Sequence, residues 1–183
     1  MENKLMMKLV IGTEALFFLS LIVAYVYFSK VTGFAPAEVQ RLSIKTTGLF
    51  SVLLFSSSFT FERAAASYKH GRIKHLKLWL LATIALGAIF LCGQGIEYTR
   101  LLREHVSPGG SMFGSSFFTL TGFHGLHVFA GLVLLAIIAT MAFLGDFDRR
   151  RSSSAISTIG MYWHFVDVVW LFVFTIIYVL PHL

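Results

Sequence analysis

One cysteine in 183 residues, Cys92, removes two classes of site at once. A lone thiol cannot form a disulfide within the chain, and it cannot build a cysteine-based metal cluster. Proline is scarce as well, at three residues, so long helices meet few breakers. Charged residues make up only 13% of the chain, about half the usual share of a soluble domain. What remains is apolar: 56% of residues are hydrophobic, with 19 Phe, 6 Tyr and 3 Trp, and the mean hydropathy is +0.77. That composition excludes a soluble globular domain and places the chain in a membrane. The net charge of +6 does not point to nucleic acid. The basic residues sit in short connections between apolar runs, where they set topology.

Five apolar runs stand out, at about 7–28, 46–66, 77–99, 114–143 and 157–180. Each is long enough to cross a hydrocarbon core, which takes about 20 helical residues. The expected fold is therefore all-α: one membrane domain over 1–183, a bundle of five transmembrane helices. The first run is longer than a signal-peptide core, contains Glu14 and lacks a small-residue cleavage pattern, so it reads as a retained span. The second is the least apolar. Its Ser56, Ser57, Ser58 and Thr60 are small enough for close helix approach and can bond across an interface. From Glu62 onward it is expected to continue as helix beyond the hydrocarbon. The fourth run exceeds what a span needs, so it tilts or overhangs.

Alternate connections differ in positive charge. One side carries Lys4, Lys8, Arg63, Lys69, Arg72, Lys74, Lys77, Arg149, Arg150 and Arg151; the other carries Lys30, Arg41, Lys45, Arg100 and Arg103. The positive-inside rule then puts the N-terminus in the cytoplasm and the C-terminus outside.

Polar side chains inside the spans carry the functional signal, because each is expensive in lipid and needs a partner. His164 and Asp167 lie one turn apart in Tyr162-Trp-His-Phe-Val-Asp-Val-Val-Trp170. Counting about 1.5 Å of rise per residue brings Glu14, His127, His164 and Asp167 into one layer, with His124 a turn further out. A lone ionised carboxylate is unfavourable there, and a histidine can share its proton, so Glu14 is expected to pair with His127. Two roles fit this layer: a proton-linked carboxyl, or a hydrogen-bonded cluster that fixes helix packing. Gln94, Glu97 and Tyr98 share a face near the far end of the third span, beside Gly93 and Gly95. They suit helix packing or contact with a lipid headgroup. His124, His127 and His164 could supply one bis-histidine haem site at most.

The strings Gly122-Phe-His-Gly-Leu-His-Val128 and Tyr162–Trp170 resemble subunit III of the haem-copper respiratory oxidases. The likeness runs along the whole chain. Glu14-Ala-Leu-Phe-Phe18 is similar to the family helix that carries a carbodiimide-sensitive carboxylate. Ser56-Ser-Ser-Phe-Thr60 resembles its serine-threonine helix, and Gln94-Gly-Ile-Glu-Tyr98 its Gln-x-x-Glu-Tyr segment. The resemblance implies a non-catalytic subunit with no metal or cofactor of its own. Haem and copper would sit in partner subunits, with oxygen reduction and pumping in subunit I and copper in subunit II. It implies packing on subunit I, bound phospholipid, and support of turnover and proton uptake, in an aa3- or caa3-type cytochrome c oxidase of a bacterial plasma membrane. A small subunit IV is a further expected partner, and cytochrome c the donor to the complex. The same likeness pairs Glu14 with His127. The two leading helices of the seven-helix form are absent, as in the short bacterial type. Quinol oxidases and nitric oxide reductases have related subunits. A haem-b membrane anchor and a proton-coupled transporter using Glu14 are the competing classes.

Overall fold

Helix boundaries follow from capping residues in the connections. The Ser43 hydroxyl accepts the Thr46 N–H at 3.4 Å, and the Ser111 hydroxyl accepts the Gly114 N–H at 3.0 Å. Each satisfies a donor that a helix start leaves without an internal partner. Gly145, with φ of +78°, ends the longest helix in the left-handed conformation that glycine adopts without strain. The computed structural model describes residues 2–34, 36–145 and 149–182.

The order of elements is α1 (Glu2–Phe28, running on into a wider π turn at Ser29–Gly33), α2 (Pro36–Val39), α3 (Ile44–Lys69), α4 (Ile73–Arg103), α5 (Met112–Leu144) and α6 (Arg149–Phe174, with a π turn at Thr175–Val179). No strand occurs among the described residues. Five helices, α1, α3, α4, α5 and α6, are long and apolar enough to cross a membrane, so the expected all-α membrane bundle is present. The helices overrun the apolar runs at polar ends. α4 begins at Ile73 and α6 at Arg149, because the flanking lysines, arginines and serines include no proline to stop a helix. The single turn α2 lies in what the hydropathy pattern leaves as connection.

α3 and α4 form an antiparallel hairpin. α4 packs on α5 and α5 on α6, while α1 lies against α5 and α6 and α6 also meets α3. The fifth span is therefore the hub: half of its most apolar window is buried in the bundle, against 11% for α1. The outer face of α1 leaves Leu5, Met6, Leu9, Leu16, Leu19 and Val23 more than half exposed, a surface suited to lipid or to another membrane subunit.

Trp163 is the wedge of the core. It is completely buried, and its ring reaches two glycines on different helices. A Cβ added to Gly87 of α4 would stand 3.0 Å from the ring, and one added to Gly131 of α5 would stand 2.8 Å from it. Both distances are below any normal carbon contact, so only glycine lets α4 and α5 close on the indole. Gly131→Val is expected to destabilise the bundle by about 1–3 kcal/mol through overpacking. Gly95→Ala, where a Cβ meets nothing within 4 Å, should leave stability unchanged or slightly raised. Thermal unfolding in detergent compares the two.

Candidate functional site

The hydroxyl face of α3 lies against α6, and the polar side chains of the two helices bond in antiparallel order. Ser51 accepts the Trp170 indole N–H at 2.8 Å, and Ser57 accepts the Trp163 indole N–H at 3.0 Å. Each serine gives its own hydrogen to a carbonyl of α3, Thr47 at 2.7 Å and Leu54 at 2.5 Å. A lone pair is thereby left for the indole, which can only donate. Ser58 donates to Oδ2 of Asp167 and lies 3.0 Å from Nδ1 of His164. The other ring nitrogen, Nε2, lies 2.7 Å from Oε1 of Glu62. Asp167 is buried, and its Oδ1 has no partner among the described residues. Of the four hydroxyl residues singled out in the sequence, Ser57 and Ser58 bond to α6. The Thr60 hydroxyl lies 2.8 Å from that of Thr83 on α4. Ser56 is exposed and bonds only its own helix, at Val52.

A second polar contact joins α1 to α5. Nε2 of His127 is 3.1 Å from Oε2 of Glu14. Nδ1 of the same ring is 2.7 Å from the carbonyl of Phe123. A carbonyl only accepts, so Nδ1 carries the hydrogen. The neutral ring then turns a lone pair toward Glu14, and the contact needs one further proton, on the carboxyl or on the ring. Tyr162 of α6 donates to the His127 carbonyl at 3.1 Å, and the Phe18 ring stands edge-on to the imidazole at 4.9 Å.

The layer of Glu14, His127, His164 and Asp167 is in fact two sites. Depth along the membrane does not set rotation about each helix axis. α1 turns Glu14 toward α5, whereas α6 turns His164 and Asp167 toward α3. His164 and Asp167 meet through Ser58. Glu62, read from the sequence only as the start of an overhang, is the partner that closes the α3–α6 set.

Glu97 is the centre of a third cluster, toward the opposite end of the bundle. Its buried carboxylate accepts from the hydroxyl of Thr47, from Tyr178 at 3.0 Å and from the Ser43 N–H at 3.3 Å. Arg100 pairs with it at 3.4 Å and also donates to the Arg41 carbonyl at 2.7 Å. Gln94 and Tyr98 serve a different neighbour. Gln94 donates to the Thr121 carbonyl at 2.7 Å and to the Tyr98 hydroxyl at 3.0 Å, and that hydroxyl lies 2.7 Å from Oγ1 of Thr121. The gap shared by Gln94, Glu97, Tyr98 and Thr121 is about 10 Å³, at most the space of one water. The bonds of Glu97 to α3 and of Gln94 and Tyr98 to α5 join neighbouring helices there.

His124 is completely buried, and neither ring nitrogen has a partner among the described residues. Its ring stacks on Trp170 at 4.7 Å and meets Phe90 edge-on. Thr47, Ser51, Glu62, Thr83 and Thr121 are the polar partners that sequence reasoning passed over. Glu62 stands four residues from Ser58 and Thr121 three from His124, whereas Thr47, Ser51 and Thr83 lie further from any group singled out, and spacing gave no signal for them.

A family model described as cytochrome c oxidase subunit III matches residues 2–181. Among curated relatives, a probable cytochrome c oxidase subunit 3 of Nocardia farcinica is 35% identical over 169 residues, covering 92% of this chain and 83% of that protein. Cytochrome c oxidase subunit 3 of a Synechocystis species is 36% identical over 168 residues, covering 91% and 71%. That of Corynebacterium diphtheriae is 33% identical over 172 residues, covering 92% and 83%.

Removing the Glu97 carboxylate strands three donors and a guanidinium. Glu97→Ala is expected to cost about 2–3 kcal/mol, chiefly from buried donors left without an acceptor, since Arg100 is 40% exposed and keeps the Arg41 carbonyl. Tyr178→Phe, which removes one of its donors, should cost about 1 kcal/mol. Detergent melting curves, with the yield of folded protein, measure both.

Proposed function

The chain belongs to the cytochrome c oxidase subunit III family, and from that premise we propose that it is the non-catalytic subunit III of a proton-pumping haem-copper terminal oxidase of the aa3 or caa3 type. It packs on subunit I through the membrane, alongside subunit II and a small subunit IV. It binds phospholipid and sustains proton uptake and turnover while cytochrome c feeds electrons to the complex. Its place is the bacterial plasma membrane, with the N-terminus in the cytoplasm as the basic connections favour. Haem and copper belong to the partner subunits. The observation that carries this reading is how the intramembrane polar groups are used. The carboxylates and His127 and His164 are engaged with side chains of neighbouring helices, and His124 is packed against an indole. Such a chain builds a rigid, proton-bearing scaffold. The apolar outer face of α1 supplies surface for a membrane partner.

Purification in mild detergent is expected to bring down a haem-bearing subunit and a copper-bearing subunit with this chain. Recovery of neither, or a Soret band that stays with the isolated chain, overturns the reading. A quinol oxidase would appear as the haem subunit without the copper of a cytochrome c oxidase.

Glu14→Gln preserves a donor toward His127 Nε2, so initial oxygen-reducing turnover of the assembled complex should stay close to that of the unmodified protein. Glu14→Lys puts an unpaired cation into the hydrocarbon and lowers the yield of assembled complex, because such a charge costs about 3 kcal/mol or more there. Oxygen consumption and subunit stoichiometry report the two outcomes.

A further inference from the structure

The hydrogen-bonded chain between α3 and α6 has two ends in different surroundings. Asp167 is 6% exposed, and one of its oxygens is unpartnered. Glu62 is 64% exposed at the other end, seven residues before α3 ends at Lys69. Glu62 and His164 line an open cavity of about 350 Å³ at the end of the bundle where α1 begins. Lys4 of α1 and Lys69 and Tyr68 of α3 line the same cavity, and α6 adds Ser153 and Ser157. Neither α4 nor α5 contributes a titratable group to it. Polar walls of this size admit water, so one end of the chain is wet and the other is dry.

Counting hydrogens along the chain leaves two arrangements. Ser58 has one hydroxyl hydrogen. In the first arrangement Ser58 gives it to Asp167 and accepts from His164 Nδ1–H. The 2.7 Å contact of Nε2 with Glu62 then requires a third proton, on the ring or on the carboxyl. In the second, Asp167 carries a proton and donates to Ser58, Ser58 donates to Nδ1, and Nε2–H donates to Glu62. Both arrangements hold three protons along the same heavy atoms and the same net charge. Passing from the first to the second moves one proton, in net, from Nδ1 of His164 through Ser58 to Asp167, while the proton between Nε2 and Glu62 stays in that contact and settles on Nε2. The bond from Ser58 oxygen to its hydrogen breaks toward Asp167 as the oxygen takes the Nδ1 hydrogen, and turning the hydroxyl toward Nδ1 completes the change.

We infer that Asp167 is a proton-exchanging carboxyl connected to the water-filled cavity at the N-terminal end of the bundle through Ser58, His164 and Glu62. The Glu14–His127 pair on α1 and α5 is a separate proton holder with its own partners. The inference rests on side-chain geometry and does not require the proposed oxidase assignment.

The test is infrared difference spectroscopy on the full chain, purified with its native partners in mild detergent. Labelling aspartate with carbon-13 at the carboxyl marks Asp146, Asp148 and Asp167 in this chain. Subtracting Asp167→Asn, grown with the same label, assigns the band. A protonated Asp167 band should grow as pH falls and should shift promptly in heavy water. Ser58→Ala should slow that shift by about 100-fold, the scale of losing one positioned proton-transfer group, and Ser58→Thr should restore it. Glu62→Gln tests the exposed end without touching the buried one and should also slow exchange. Equal exchange rates in Ser58→Ala and the unmodified chain overturn the inference, as does a band that never appears at any pH. A merely structural Ser58 would change melting temperature and leave the exchange rate alone.

Discussion

Polar side chains that cross a membrane must find their partners on other helices, and here α3 and α6 meet that need together. Lipid offers no hydrogen bond, so an indole N–H or a carboxylate left alone inside the bundle would cost free energy. The serines at 51 and 57 take the indoles of Trp170 and Trp163, and Ser58 takes Asp167 and His164. Because indoles only donate and carboxylates only accept, the serine hydroxyl, able to do both, is the residue type that serves either. The antiparallel register follows: Ser51 meets Trp170 toward one end and Glu62 meets His164 toward the other. A slip of one residue would turn the hydroxyls off the α6 face and leave both indoles unpaired.

The remaining helices adjust to this seam. Trp163 is fixed at its nitrogen by Ser57, so its ring projects to where α4 and α5 must pass. Gly87 and Gly131 are the positions at which those helices can come that close. α1 sits outside, joined by the Glu14–His127 contact and by Phe18, which packs its ring edge-on against His127. The bundle is thus layered outward from α6. Its polar contacts stand at the α3–α6 seam, at the α1–α5 crossing and around Glu97 near the far end.

Two of these contacts share a logic. In each, one histidine nitrogen meets a neighbour, a carbonyl that only accepts for His127 and a serine hydroxyl that can accept or donate for His164, and the other nitrogen faces a glutamate. That combination forces a proton to reside between ring and carboxyl. The difference lies in the first neighbour. Phe123 carbonyl is a dead end for a proton, whereas a serine hydroxyl can pass one on.

Much of this was legible in the residues alone. Length and hydropathy gave five membrane helices, because a span needs only apolar length. Depth counting placed Glu14, His127, His164 and Asp167 in one layer, because rise per residue is fixed. The ordered motifs around Gly122–Val128 and Tyr162–Trp170 pointed to the family. Rotation about each helix axis could not be read, since it depends on how side chains from several helices pack at once. It took the tertiary structure to separate Glu14 and His127 from His164 and Asp167, and to bring Glu62 to His164. The same packing turned Ser56 outward and set Glu97 apart from Gln94 and Tyr98. Sequence fixes which polar groups enter the membrane and how deep they lie; only the packed bundle decides which of them meet.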